Sequence, residues 1–175
     1  MKLYQGFLLS VITSMACSAV MVVTAQQNAP TTNPGHKYTI KTFLNENPSY
    51  VPLTWFDENT LDAMRNEWGF GKNFTPYYAT GDFNGDGQGD FAVILAIDTG
   101  TGLEPRVLVF NGTKGGKFYL AYNEREDDPD RRLFLHTFSA GRKRKGLYIG
   151  IAESDSAGCF EPRRRGYVVK PCGNR

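Results

Sequence analysis

Histidine is almost missing from this chain: 2 occur in 175 residues. So thin a supply argues against a His-based metal centre and against an imidazole acid/base relay. Cysteine is scarce as well, with 3 residues, which excludes the disulfide-dense mini-proteins. No long apolar run follows the N-terminal one, so a polytopic membrane protein is excluded. There is no HExxH, no GxSxG, no Walker-type loop and no GxGxxG opening a helix. Charge of a single sign is lacking too. With 20 Lys+Arg against 18 Asp+Glu, the formal net charge of +2 is too small to imply a partner. What is present is 41% hydrophobic and 13% aromatic residues, with 19 Gly and 9 Pro. That suits one globular domain and neither a collagen nor a disordered polyelectrolyte.

Met1 to Ala25 reads as a secretory signal peptide. Lys2 supplies the positive start, Phe7 to Val23 is apolar and uncharged, and Val23-Thr24-Ala25 places small or apolar residues where signal peptidase reads. The rival readings are an uncleaved anchor helix and a lipidated Cys17. The lipobox likeness of Met15-Ala16-Cys17 is faint, because Ser14 stands where Leu is wanted. Cleavage after Ala25 predicts an exported protein, periplasmic or extracellular, with no membrane span in the mature chain. It also removes Cys17 and leaves Cys159 and Cys172, an even pair in an exported chain. A disulfide there would stabilise by about 3 kcal/mol in the chain-entropy model. The alternative, two free thiols or half a zinc site, lacks the Cys and His to complete four ligands.

Residues 26–36 are polar and Pro-rich and read as a flexible leader. Lys37 to Phe43 alternates and is expected to form a first strand. Asp57 to Trp68 is the one good helix, with Leu61, Met64 and Trp68 on one face and Gly69 and Gly71 as stop signals. From Pro76 onward the pattern is strands. Pro76 to Thr80, Phe91 to Ile97, Arg106 to Phe110, Lys117 to Tyr122, Arg132 to Phe138, Leu147 to Ala152 and Tyr167 to Lys170 are short apolar runs between Gly-, Asn- and Asp-rich turns. Short spacings favour antiparallel hairpins. The expected fold is therefore α+β: a mostly antiparallel β-sheet meander with one N-terminal helix, in a single domain over 37–175.

The segment Gly81-Asp82-Phe83-Asn84-Gly85-Asp86-Gly87-Gln88-Gly89-Asp90-Phe91 carries the most chemistry. Oxygen side chains at Asp82, Asn84, Asp86 and then Asp90 suit a hard cation, and the Gln88 carbonyl can add a ligand. Ca2+ takes six or more oxygens at about 2.3–2.6 Å. Gly85 and Gly87 permit the tight positive-φ backbone that curling around an ion requires. The opening is EF-hand-like, yet Val93 stands where an EF-hand needs a bidentate Glu, and the flanks read as strands. A metal-free turn built on Asn84-Gly85 or Asp86-Gly87 is the competing reading, and another ion the third.

This stretch, GDFNGDGQGDFAVIL with a partial echo in RVLVFNGTKGGKFYLAYN, resembles the FG-GAP/VCBS-type repeat, the calcium loop of integrin α-chain β-propellers and of many secreted bacterial proteins. The likeness spans about residues 76–122. It implies Ca2+ ligation by Asp82, Asn84, Asp86 and Asp90. A propeller needs several blades, and one copy is present, so the propeller does not carry over. The chain looks more like small exported bacterial proteins that embed one such unit in an α+β domain.

Charge is divided along the chain. Residues 26–130 hold 8 Lys+Arg and 15 Asp+Glu, whereas residues 131–175 hold 11 and 3. Arg142-Lys143-Arg144-Lys145 and Arg163-Arg164-Arg165 are tight basic clusters, expected on hairpin turns. They read either as solvated turns balancing the acidic half or as a polyanion contact, with nucleic acid the weakest candidate. Asn73-Phe74-Thr75 and Asn111-Gly112-Thr113 match the N-glycosylation pattern. The function expected is a non-catalytic binding or interaction module with a structural Ca2+, facing an unidentified protein or glycan partner. The alternative is a small secreted hydrolase acting on glycan or cell-wall polymer through carboxylates that the sequence does not single out.

Overall fold

The computed structural model describes residues 33–125, 132–140, 144–152, 154 and 156–172. The signal-like segment, residues 26–32 of the expected leader, and Arg142 and Lys143 lie outside the described residues. The elements are α1 (Pro34–Glu46), β1 (Tyr50–Pro52), α2 (Glu58–Asn66), β2 (Tyr78–Gly81), β3 (Asp90–Asp98), β4 (Leu103–Gly112), β5 (Phe118–Arg125), β6 (Leu133–Ser139), β7 (Lys145–Ile151), β8 (Ala157–Arg163) and β9 (Gly166–Pro171). The fold is α+β and mostly antiparallel sheet.

Two helices are present among the described residues, not one. Lys37 to Phe43, expected as a strand, belongs to α1, and so do Pro34 to His36 of the expected leader. The helix starts because Asn33 caps it, its side-chain oxygen accepting from the Gly35 and His36 N–H groups at 2.9 and 3.4 Å. Pro34 follows at a position where a missing N–H costs nothing. Ile40, Phe43 and Leu44 then form a stripe at helical spacing that packs on Phe91, Val93, Leu95, Leu108 and Phe110. The second helix is shorter than expected, Glu58–Asn66, and is capped by Asp57, which accepts from Thr60 N–H at 2.8 Å. Met64 is its buried residue, while Trp68 lies past its end and is 45% exposed.

The described strands form two sheets. In the first, β1 and β2 lie end to end along one edge of β3, with β4 on the other side and β5 beyond it. In the second, β6, β7, β8 and β9 follow in chain order. Strand β3 explains its own composition: Asp90 to Ala96 is buried on both faces, so the run is continuously apolar after Asp90. Ala92, Ile94, Ala96, Val107 and Val109 face the inter-sheet core with Leu133, Leu135, Leu147, Ile149, Phe160 and Tyr167. Their neighbours of opposite parity lie under α1. On the second sheet the far face takes α2 and the chain after it, through Met64, Phe74 and Phe134. The layers are thus α1, first sheet, second sheet, α2.

The sheets meet along a seam at β2. Leu135 N–H donates to the Pro76 carbonyl at 2.7 Å, and Lys145 N–H donates to the Asp82 carbonyl at 3.1 Å. Phe83, only 1% exposed, drops from the loop after β2 into the inter-sheet core. Burying such a ring stabilises by about 1.5–3 kcal/mol and pins the loop between the sheets.

Candidate metal-binding loop

The loop between β2 and β3 holds Asp82, Asn84, Asp86 and Gln88 of the five expected ligands, Asp90 opens β3, and the loop's shape follows from Asn, Asp and Gly in alternation. Gly85 and Gly87 have φ of 80° and 83°, the left-handed region that glycine enters without cost. Gly85 N–H donates to Asp82 Oδ1 at 2.7 Å, and Gly87 N–H donates to Asp82 Oδ2 at 2.9 Å. Asp86 N–H donates to Asn84 Oδ1 at 2.9 Å, and Gln88 N–H donates to Asp86 Oδ1 at 2.8 Å. The Asn84 Nδ2 donates to Asp86 Oδ2 at 3.0 Å. The backbone is thereby wound around its own side-chain oxygens. Each such oxygen keeps a second lone pair.

Asp90 is set apart from the other four. It is fully buried, and both carboxylate oxygens accept backbone N–H groups: Oδ2 from Phe83 at 2.7 Å and Asn84 at 3.3 Å, Oδ1 from Gly112 at 2.9 Å. The carboxylate therefore ties the start of the loop and the end of β4 to the start of β3. Burial pushes its pKa up, and the three amides pull against that shift. Among the described residues, no three His, Cys, Asp or Glu side chains gather as a metal-holding group. Asp82 and Asp86 remain close in sequence, partly or fully exposed, and have no cationic side chain at ion-pair distance among the described residues.

Several neighbours of the loop carried no sequence signal that tied them to it. Gly112 is required by space, because a Cβ there would lie 2.2 Å from the Gly89 carbonyl oxygen. Asn111, the first residue of a glycosylation triplet, is buried: its Oδ1 accepts from Tyr167 hydroxyl at 2.6 Å, joining the two sheets. Arg144 of the first basic cluster reaches back to the loop, its Nε donating to the Phe83 carbonyl at 3.1 Å. Beside the loop end, a cavity of about 670 Å3 is bordered by Asp90, His36 and Lys117. His36 hydrogen-bonds Tyr78 through Nδ1 and stacks on Phe91, and burial lowers its pKa.

Away from the loop, Cys159 and Cys172 form the expected disulfide, with a Cα–Cα distance of 5.1 Å. Lys145 opens β7, while Arg163 ends β8 and Arg164 and Arg165 make the turn into β9. His136 is enclosed by the rings of Phe70, Phe74 and Tyr148, a packing role. No described helix is long and apolar enough to cross a membrane. No family model, curated protein or solved structure matches this chain.

Proposed function

We propose that the chain is an exported domain of the FG-GAP/VCBS type, that its Asp82–Asp90 loop binds Ca2+, and that it serves as a non-catalytic binding module. The observation that carries the reading is the pair Asp82 and Asp86. Two carboxylates stand in one five-residue turn, and among the described residues no cationic side chain lies at ion-pair distance from either. A hard, oxygen-seeking divalent ion is the charge such a turn lacks. Asp82, Asn84 and Asp86 would offer their free lone pairs, Gln88 its carbonyl, and water the rest. Asp90 would complete the set as a ligand or, through its amide bonds, hold the loop's two ends in place for the others. The ion's role is structural: it would fix the turn that carries Phe83 into the core. The disulfide supports an oxidising compartment and so supports export.

Thermal unfolding of the oxidised mature chain in EDTA and in excess Ca2+ tests this. An ion at a hundredfold excess over Kd stabilises by about 2.7 kcal/mol, which moves the midpoint by several degrees. The wild type should show the shift and Asp86→Ala should not. A metal-free purified protein with no shift would overturn the reading.

A further inference from the structure

The outer face of the second sheet holds a groove of about 910 Å3 that the loop chemistry does not use. Its floor depends on glycine. On β7, Gly146 and Gly150 flank Tyr148 and face Phe138 and Phe134 across β6. A Cβ at either glycine would come within 2.2 or 2.3 Å of the facing ring, so these rings can lie across the sheet only because both positions are bare. Phe134 is covered by Phe70. Phe138 and Tyr148 are only part-buried, and their ring centroids stand 6.4 Å apart. Together they give the groove an aromatic platform.

The second sheet is an up-and-down meander, so the end of β6 and the start of β7 lie at the same end as the β8–β9 turn. That brings Arg144 and Arg163–Arg165, distant in sequence, to one end of the second sheet, where Arg144 borders the groove. Glu161 on the groove wall is bonded to Arg163 Nη2 at 2.9 Å and to Lys170 Nζ at 2.8 Å, and it also feels the charge of Arg144. Two cations thus share one carboxylate, with Arg144 within electrostatic reach, and Arg164 and Arg165 are exposed in the turn that follows Arg163. The whole segment 131–175 carries 11 basic residues against 3 acidic ones.

We infer that this groove binds an acidic oligosaccharide, with the C–H face of one sugar ring on Tyr148 and its carboxylate or sulfate groups at Arg144 and Lys170, next to the Arg163–Glu161 pair. Ring faces and a few placed polar groups are what an orienting site for such a ligand requires, and guanidinium groups bind planar or tetrahedral oxyanions through paired N–H donors. A nucleic acid fits less well. It presents a charge on every nucleotide and wants cations along its whole track, whereas here they crowd one end. The inference rests on the binding-module reading and names its partner class.

The test is calorimetric titration of the mature chain, in EDTA, with a hexagalacturonate, a heparin-derived hexasaccharide, a neutral maltohexaose and a single-stranded oligonucleotide of equal charge. One or both acidic sugars should bind and the neutral one should not. Tyr148→Ala should weaken binding by about tenfold or more, which is about 1.4 kcal/mol. Tyr148→Phe should keep most of the affinity, which separates the platform from a folding defect. Arg163→Ser with Lys170→Ser should weaken binding and flatten its salt dependence. Absence of binding to both acidic sugars, indifference to Tyr148→Ala, or equal affinity for the oligonucleotide would each overturn the inference. The calcium shift in unfolding is read separately, so a glycan-negative chain that still gains stability from Ca2+ would remove the groove and leave the loop.

Discussion

Replacing Asp90 with alanine separates an anchor from a ligand. The substitution leaves three backbone donors without their acceptor: the N–H groups of Phe83, Asn84 and Gly112. The Phe83 and Gly112 bonds are buried, so losing the oxygen leaves both donors without a well-placed acceptor. Each orphaned buried donor costs about 1–3 kcal/mol. Removing a carboxylate whose own burial is unfavourable returns part of that, so the expected loss is about 2–4 kcal/mol. For a domain of this size each kcal/mol moves the midpoint by about 2–4 °C. Thermal unfolding in EDTA, with no ion to lose, should therefore show Asp90→Ala melting roughly 5–15 °C below wild type. Asp86→Ala, on an exposed residue, should change the EDTA midpoint by no more than about 0.5 kcal/mol's worth. Asp90→Asn keeps one acceptor oxygen and should fall between. A wild-type midpoint for Asp90→Ala in EDTA, with loss only when Ca2+ is present, would refute the anchoring argument.

Two further expectations concern the rest of the fold. Reducing the Cys159–Cys172 bond, or replacing both residues with serine, should cost about 3 kcal/mol from loop closure, because the bridge spans 13 positions; a denaturant midpoint that does not move under reductant would contradict this. Burial lowers the pKa of both His36 and His136, so each binds a proton less readily folded than unfolded. The stability they allow is complete above about pH 6.5, the unfolded value, and is lost as pH falls toward and through their lowered folded values. Denaturant midpoints at pH 7.5 and 5.5 should show the decline, and His36→Gln should flatten it; an unchanged slope in that variant would refute His36 as a source.

What the sequence made legible was whatever is written locally. The strands β2 to β7 and β9 announce themselves because each is a compact apolar run between turn residues, and α2 because Leu61 and Met64 sit a helical step apart before two glycines. Helix α1 was misread for a physical reason. Tyr38 and Ile40 alternate with polar residues as a strand would, and only Phe43 and Leu44 complete the helical stripe. The Asn33-Pro34 cap signal stood inside a stretch whose other Pro and polar residues resemble a leader. Strand β8 opens Ala157-Gly158-Cys159 and contains Pro162, so its own preference is weak. It is held by pairing on both sides and by Phe160 in the core. The loop's oxygens were evident from spacing, but the fate of Asp90 was not. Its partner Gly112 is 22 positions away and contributes only a backbone N–H. The division into two sheets was hidden likewise, since a hairpin pattern does not say where a meander folds over.

The seam at β2 sets an order of events. Strands β1 to β5 all precede residue 126 and β6 to β9 all follow residue 132, so each sheet can assemble largely from its own stretch of chain. The bonds from Pro76 to Leu135 and from Asp82 to Lys145 join halves far apart in sequence, and such closures are late and slow. A polypeptide that emerges N-terminus first completes β3 and β4 before their cover exists. Ala92, Ile94, Val107 and Val109 then wait as an uncovered apolar face until β6 and β7 arrive. The vulnerable interval for self-association is therefore vectorial, and it closes when Leu135 and Lys145 dock on the strand that leads into the loop.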